Sequence, residues 1–200
     1  MNDLFGFLAL LSIFLTVLFF IKKNKFKNIL YIAFFLRAIF AVLDYYNLVT
    51  LIDGNNSNSD ANNFENLAIL MSKENILTLI QSLFNMDSFL ISKILAIIYS
   101  IFGENLLIAK SISVALGTTS VYLVYRLAYE IWDKHSAIKA AWVAALFPTL
   151  ILYSAVTLRE VYVVFFLLLT LTSIHRFIEN KNFITLLKII FFFLIPSHSL

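Results

Sequence analysis

Long apolar runs alternate with short polar breaks along most of this 200-residue chain. A run of about 17–25 apolar residues is long enough to cross a bilayer as a helix. The pattern predicts five or six such spans, over residues 4–21, 29–47, 106–128, 137–156, 161–178 and a shorter one at 183–197. The stretch 88–102 is also apolar, but as a helix rising 1.5 Å per residue it reaches only about 22 Å. Pro148 falls inside the fourth span and is expected to kink it, because proline has no N–H to donate and its ring crowds the preceding turn.

The largest break is the stretch 53–66, Asp53-Gly54-Asn55-Asn56-Ser57-Asn58-Ser59-Asp60-Ala61-Asn62-Asn63-Phe64-Glu65-Asn66, which is almost wholly polar. Insertion into a membrane has no use for it, since such residues lower no transfer cost in hydrocarbon. Its carboxylates, Asp53, Asp60 and Glu65, follow directly on an apolar helix, where water and lipid headgroups meet. Beyond them Phe64, Leu67, Ala68, Met71, Ile76, Leu79, Ile80 and Leu83 recur at steps of three and four, the period of an amphipathic helix. The spacing predicts a helix over about 61–84, with Asp60 at its N-cap. This helix and a second one at 88–102 are expected to lie along the membrane surface within one long loop, 48–105.

Charge orients the pattern. Lys22, Lys23, Lys25 and Lys27 crowd the first connection; Arg126, Lys134 and Lys139 surround the turn near Trp132; and Arg176, Lys181 and Lys188 surround the one near Asn180. Basic residues mark cytoplasmic loops, so the acidic 48–105 loop and the short 154–160 turn face outward. The apolar fraction of 61% and the mean hydropathy of +0.89 exceed those of soluble domains. The net charge of +3 reflects topology and gives no sign of nucleic-acid binding. Without a basic n-region or a small-residue cleavage site, residues 4–21 read as a retained helix. No cysteine is present, which removes disulfides and thiolate metal sites from consideration. The fold class expected is therefore all-α, a polytopic transmembrane helix bundle forming one domain over residues 1–200, with an outward first loop that carries interfacial helices.

Few residues offer chemistry. Asp60 has two compatible readings, a helix cap and a base whose second oxygen stays free. Arg159 and Glu160 sit together in the second outward turn. They read either as a headgroup anchor or as a site that holds an anion and takes a proton or cation. Arg37, in the middle of the second span, requires an interior partner; Asp44 shares its helical face but is too distant for contact. Lys110 opens the next span and is expected to snorkel, with contact to a lipid phosphate as the alternative. His135, His175 and His198 lack metal-ligand spacing. No nucleotide-binding loop or nucleophile elbow is present.

Ser59-Asp60-Ala61-x-x-Phe64-x-x-Leu67-Ala68 resembles the first outward-loop motif of the GT-C superfamily of polytopic glycosyltransferases. The likeness is to bacterial relatives of the protein O-mannosyltransferase and lipid A aminoarabinose transferase families. Phe102-Gly103-Glu104-Asn105-Leu106, Ala109-Lys110-Ser111, Leu116-Gly117, Val124-Tyr125-Arg126-Leu127-Ala128, Phe147-Pro148 and Leu158-Arg159-Glu160 follow in the order found in these enzymes. The resemblance covers about residues 30–175.

It implies an inverting glycosyltransferase, or its N-terminal module, in the bacterial cytoplasmic membrane with the active face outward. The donor implied is a sugar on a polyprenyl phosphate, and the acceptor a glycan, lipid or protein. Asp60 is then the catalytic base, and Glu160 orients substrate or helps hold a divalent metal, for which Asp60 and Glu160 are the candidate ligands. Metal-dependent members place two acids in the second turn where this chain has Glu160 alone, so no cofactor is firmly implied. Arg159, Lys110, Asp53 and Glu65 are candidate substrate-binding residues. If Asp60 and Glu160 serve one substrate, their carboxylates are expected within about 10–12 Å, by analogy with paired carboxylates in sugar hydrolases. Members of the family usually carry more helices, which suggests a missing C-terminal half. The alternative is a truncated or accessory membrane protein that binds lipid-linked sugar without turnover; a transporter fits less well, since the acids gather at one face.

Overall fold

Every regular element among the described residues is an α-helix. The computed structural model describes residues 2–20, 26–48, 57–83, 89–181 and 183–198. Ten helices appear there: α1 (Asn2–Phe20), α2 (Lys27–Tyr45), α3 (Ser57–Met71), α4 (Ile76–Ser82), α5 (Leu90–Phe102), α6 (Leu106–Ile131), α7 (Lys134–Leu146), α8 (Pro148–Ala155), α9 (Arg159–Asn180) and α10 (Phe183–His198). Three of them, α2, α6 and α9, are long and apolar enough to cross a membrane, and α7 with α8 makes a fourth, broken span. The chain is an all-helical membrane protein.

The longest helix, α6, with 26 residues, organises the bundle: α1, α2, α7, α8 and α9 all pack on it. Asn105 starts it, its side-chain oxygen accepting from the backbone N–H groups of Leu107 at 2.8 Å and Ile108 at 3.4 Å. Small residues line its contacts. Gly6 of α1 lies over Leu107, where an added Cβ would approach the Leu107 side chain to 2.6 Å. Gly117 faces Ser154 of α8 as closely. Close approach through small residues is how helices associate where lipid competes for apolar surface. The Ser111 and Thr118 hydroxyls return to their own helix, to Leu107 O at 2.6 Å and Val114 O at 2.8 Å, so these two enter the interior satisfied.

Pro148 breaks the fourth span as expected. Phe147, the residue before it, is extended at φ −65°, ψ 116°, as the proline ring requires. α8 restarts with Pro148 in its first turn, and the two segments meet at 55°.

The helix expected over 61–84 is two helices instead. It stops at Met71 and resumes at Ile76. The Ser72 hydroxyl donates back to Ile69 O at 2.8 Å, and Asn75, extended, caps α4 by accepting from Leu77 N at 3.3 Å. Local side-chain bonds of this kind compete with helix continuation. At its other end, α3 begins at Ser57, so Asp60 lies within its first turn and not at the N-cap. An acid in the first turn is favoured by the helix dipole, which is why the sequence signal for a cap and for a first-turn acid are alike. The third apolar stretch is helical over Leu90–Phe102 and stops at Gly103, whose φ of +84° suits glycine. α3 and α4 both pack on α5, held by Ser92 Oγ to Phe64 O and Lys93 Nζ to Ser82 O, each 2.9 Å.

Candidate active site

The polar interior of the bundle collects at the junction of α2, α3, α6 and the α8–α9 turn. α3 reaches it through Ala68, which packs with Tyr99 of α5, Ala109 of α6 and Tyr162 of α9. One turn earlier on the same face comes Glu65, only 6% exposed. Thr157, fully buried in the α8–α9 turn, donates its hydroxyl to Glu65 Oε1 at 2.5 Å. The 48–105 loop and the 154–160 turn are therefore joined directly, by a carboxylate and a hydroxyl.

Beside them Lys110 forms an ion pair with Asp44, Nζ to Oδ2 at 2.6 Å, with both side chains largely enclosed. The expectation that Lys110 snorkels is wrong: it is 7% exposed. Its position near the start of α6 faces the last turn of α2, and the carboxylate there meets the ammonium before lipid or water does. Charge from Lys110 and Asp44 acts on Glu65 in opposite directions, but burial outweighs both and pushes the Glu65 carboxyl above the ordinary value of 4.5. Burial, reinforced by the Glu65 charge, likewise raises the Tyr99 phenol above the usual tyrosine range. The Tyr99 hydroxyl is buried without a hydrogen-bond partner, and the Tyr162 hydroxyl is buried facing Ser113.

Arg159 and Glu160 open α9. Arg159 Nε lies 3.8 Å from Glu160 Oε1 with both side chains partly exposed, a pair whose stabilising value is at most about 1 kcal/mol. Glu160 Oε2 is buried without a hydrogen-bond partner. It borders a small cavity of about 30 Å³ that Arg37, Gly117, Ser120 and Tyr153 also line, a volume suited to one water molecule. Arg37 is 1% exposed and does have its interior partner, the end of α7. Its Nη1 donates to Ala33 O at 3.0 Å and Ala145 O at 3.3 Å, and its Nη2 donates to Ala144 O at 3.2 Å.

Of the candidate residues, the structure brings Glu65 and Lys110 to one centre and joins it, through Thr157, to the turn that carries Arg159 and Glu160. Asp53 lies outside the described residues, as does the Asp60 side chain and with it the expected Asp60–Glu160 spacing. Asp44, Thr157, Tyr99 and Tyr162 were not singled out from sequence as site residues. Asp44 was linked only to Arg37, and a lone threonine in a turn carries no signal until its tertiary partner is known. Among the described residues no three His, Cys, Asp or Glu side chains gather as metal ligands.

This arrangement of a broken span followed by a short charged turn lies within a stretch that matches a known family. Residues 86–195 match the dolichyl-phosphate-mannose-protein mannosyltransferase family. The chain belongs to that family. This mannosyltransferase relative is thus a membrane glycosyltransferase of GT-C type, and the match runs from the approach to α5 into α10, taking in Lys110, Thr157, Arg159 and Glu160. No curated protein and no solved structure matches the chain.

Proposed function

We propose that this family member transfers a sugar from a polyprenyl-phosphate carrier to an acceptor hydroxyl at the outer face of a bacterial cytoplasmic membrane, with inversion. Family membership supports a lipid-linked donor and a membrane-bound reaction. The observation that carries the reading is the Glu65–Thr157 hydrogen bond. It seats α3 against the turn that leads into Arg159 and Glu160, and Asp60 precedes Glu65 by five residues, about 7.5 Å along the helix axis.

In this reading Asp60 takes the proton of the acceptor hydroxyl as its oxygen attacks the anomeric carbon. The bond from that carbon to the phosphate oxygen breaks, and polyprenyl phosphate departs with the bonding pair. General-base help of this kind is worth about 10²–10⁴-fold. Arg159 faces the charge growing on the leaving phosphate, a preorganised electrostatic role. Glu160 orients the sugar and, with Asp60, is the pair that would hold a divalent metal. Lys110, engaged by Asp44, acts on the site through its field and through the position of α6. Asp53 and Glu65 are the first-loop residues assigned to substrate binding in this reading.

The test is transfer from radiolabelled polyprenyl-phosphate hexose in vesicles containing the purified chain and a membrane glycan fraction. Label in the glycan together with released polyprenyl phosphate is expected. Donor binding without release would instead identify a non-catalytic lipid-sugar-binding protein.

A further inference from the structure

A second polar feature lies at the other end of α6 from the site above. Arg126 lies sixteen residues after Lys110, about 24 Å along the helix at 1.5 Å per residue, which is close to the thickness of the hydrocarbon core. An open groove of about 470 Å³ lies there between α6, the start of α2 and the start of α7. Its aromatic wall is Tyr122, Tyr125 and Tyr129 on α6 with Phe26, and its charged residues are Arg126, Glu130 and Lys134. Phe26 stacks on Tyr125 with ring centroids 4.1 Å apart, and Tyr125 on Tyr129 at 6.1 Å.

The charges there do not balance. Glu130 Oε1 accepts from both Arg126 Nε at 3.0 Å and Arg176 Nη2 at 3.1 Å, so one carboxylate serves two guanidiniums. Lys134 adds a third cation. The nearby Asp133 spends its carboxylate on the first N–H groups of α7, those of His135 at 3.2 Å and Ser136 at 3.0 Å. Three cations and two carboxylates leave a net positive groove walled by tyrosines, a residue type enriched where membrane helices meet headgroups.

We propose that this groove binds a phosphate ester, namely the headgroup of an anionic phospholipid in the leaflet opposite the Lys110–Glu65 site. The phosphate would lie against Arg126 and Lys134, and the acyl chains would run down the lipid-facing side of α6. Basic pockets between membrane helices recognise lipid headgroups in this way. A lipid is favoured over a soluble phosphate because the groove opens beside exposed apolar surface, with Ile131 and Trp132 46% and 69% exposed.

The experiment measures thermal unfolding of the purified chain in detergent with phosphatidylglycerol, phosphatidylcholine or glycerol phosphate added. Phosphatidylglycerol should raise Tm by several degrees, with less effect at high salt, and phosphatidylcholine should not. Lys134→Gln, an exposed position outside the Arg126–Glu130–Arg176 network, should keep the lipid-free Tm and lose at least half of the shift. Arg126→Gln should lose it further. Equal shifts with the two lipids, or a full shift in Lys134→Gln, would overturn the proposal. The same shift with glycerol phosphate alone would overturn the lipid assignment and give the groove to a soluble phosphate ester.

Discussion

Arg37 Nη2 donates to the carbonyl of Ala144, the carbonyl that would receive the N–H of residue 148 in an unbroken helix and cannot, because residue 148 is proline. The arginine in the middle of one span thereby repairs the break in another. Its second donor goes to Ala145 O, so the planar guanidinium spans the open end of α7, the negative pole of that helix.

Loss of this brace should be costly in proportion to the break it covers. Arg37→Leu leaves two buried carbonyls without donors, at about 1–3 kcal/mol each. Arg37→Lys should recover little, since a single ammonium lacks the fork that reaches both. In a Pro148→Ala background the helix supplies its own donor to Ala144 O, and Arg37→Leu should then cost less. Thermal unfolding of the four chains in this cycle checks the claim; an equal cost in both backgrounds would show that the two residues are not coupled.

The Asp44–Lys110 pair should behave as a buried ion pair. Asp44→Asn or Lys110→Met alone is expected to destabilise by about 3 kcal/mol or more, because each strands the other charge. The double variant should recover a large part of that loss. Denaturant or thermal unfolding in detergent decides this, and additive losses would contradict the pairing.

Stability should also depend on Glu65. Its carboxyl is raised above 4.5 in the folded chain by burial, so the folded state holds a proton that the unfolded state has already released. The associated stability is fully present below pH 4.5 and is lost as pH rises through the raised folded value. Relative to the wild type, Glu65→Gln should flatten the decline in Tm above pH 4.5. Parallel pH profiles of the two proteins would refute the assignment.

How much of this was legible in the sequence follows from what sets each feature. The apolar runs anticipated α2, α6, α9 and the broken fourth span, because lipid demands long apolar helices whatever they pack against. Pro148 announced its kink, since the missing N–H is a local property. The partner of Arg37 was hidden, being a backbone carbonyl 107 residues away and freed only by the kink. Lys110 was misread for the same reason: Asp44 stands 66 residues earlier, and no periodicity links them. The split of α3 from α4 turned on Ser72 and Asn75, whose side chains bond locally where the apolar period runs on. The resemblance to GT-C glycosyltransferases agrees with the family match over 86–195, which begins after the Asp60 segment.

Topology carries a separate prediction. The balance of Lys and Arg predicts that residues 129–136 are cytoplasmic and 48–105 outside. A cysteine introduced at Asn56 should react with an impermeant maleimide in intact cells, and one at Lys134 should not react until the membrane is opened. Labelling of position 134 alone would invert the orientation and move the proposed site to the cytoplasm.

The most direct test of the account is Asp60→Asn in the vesicle transfer assay. Asparagine keeps the size of the side chain but cannot take the acceptor's proton. Transfer should fall by at least about 100-fold, while binding of the polyprenyl-phosphate sugar and the Tm of the chain stay close to the wild type. Wild-type transfer rates in Asp60→Asn would contradict the assignment of Asp60 as base and, with it, the site proposed at this end of the bundle.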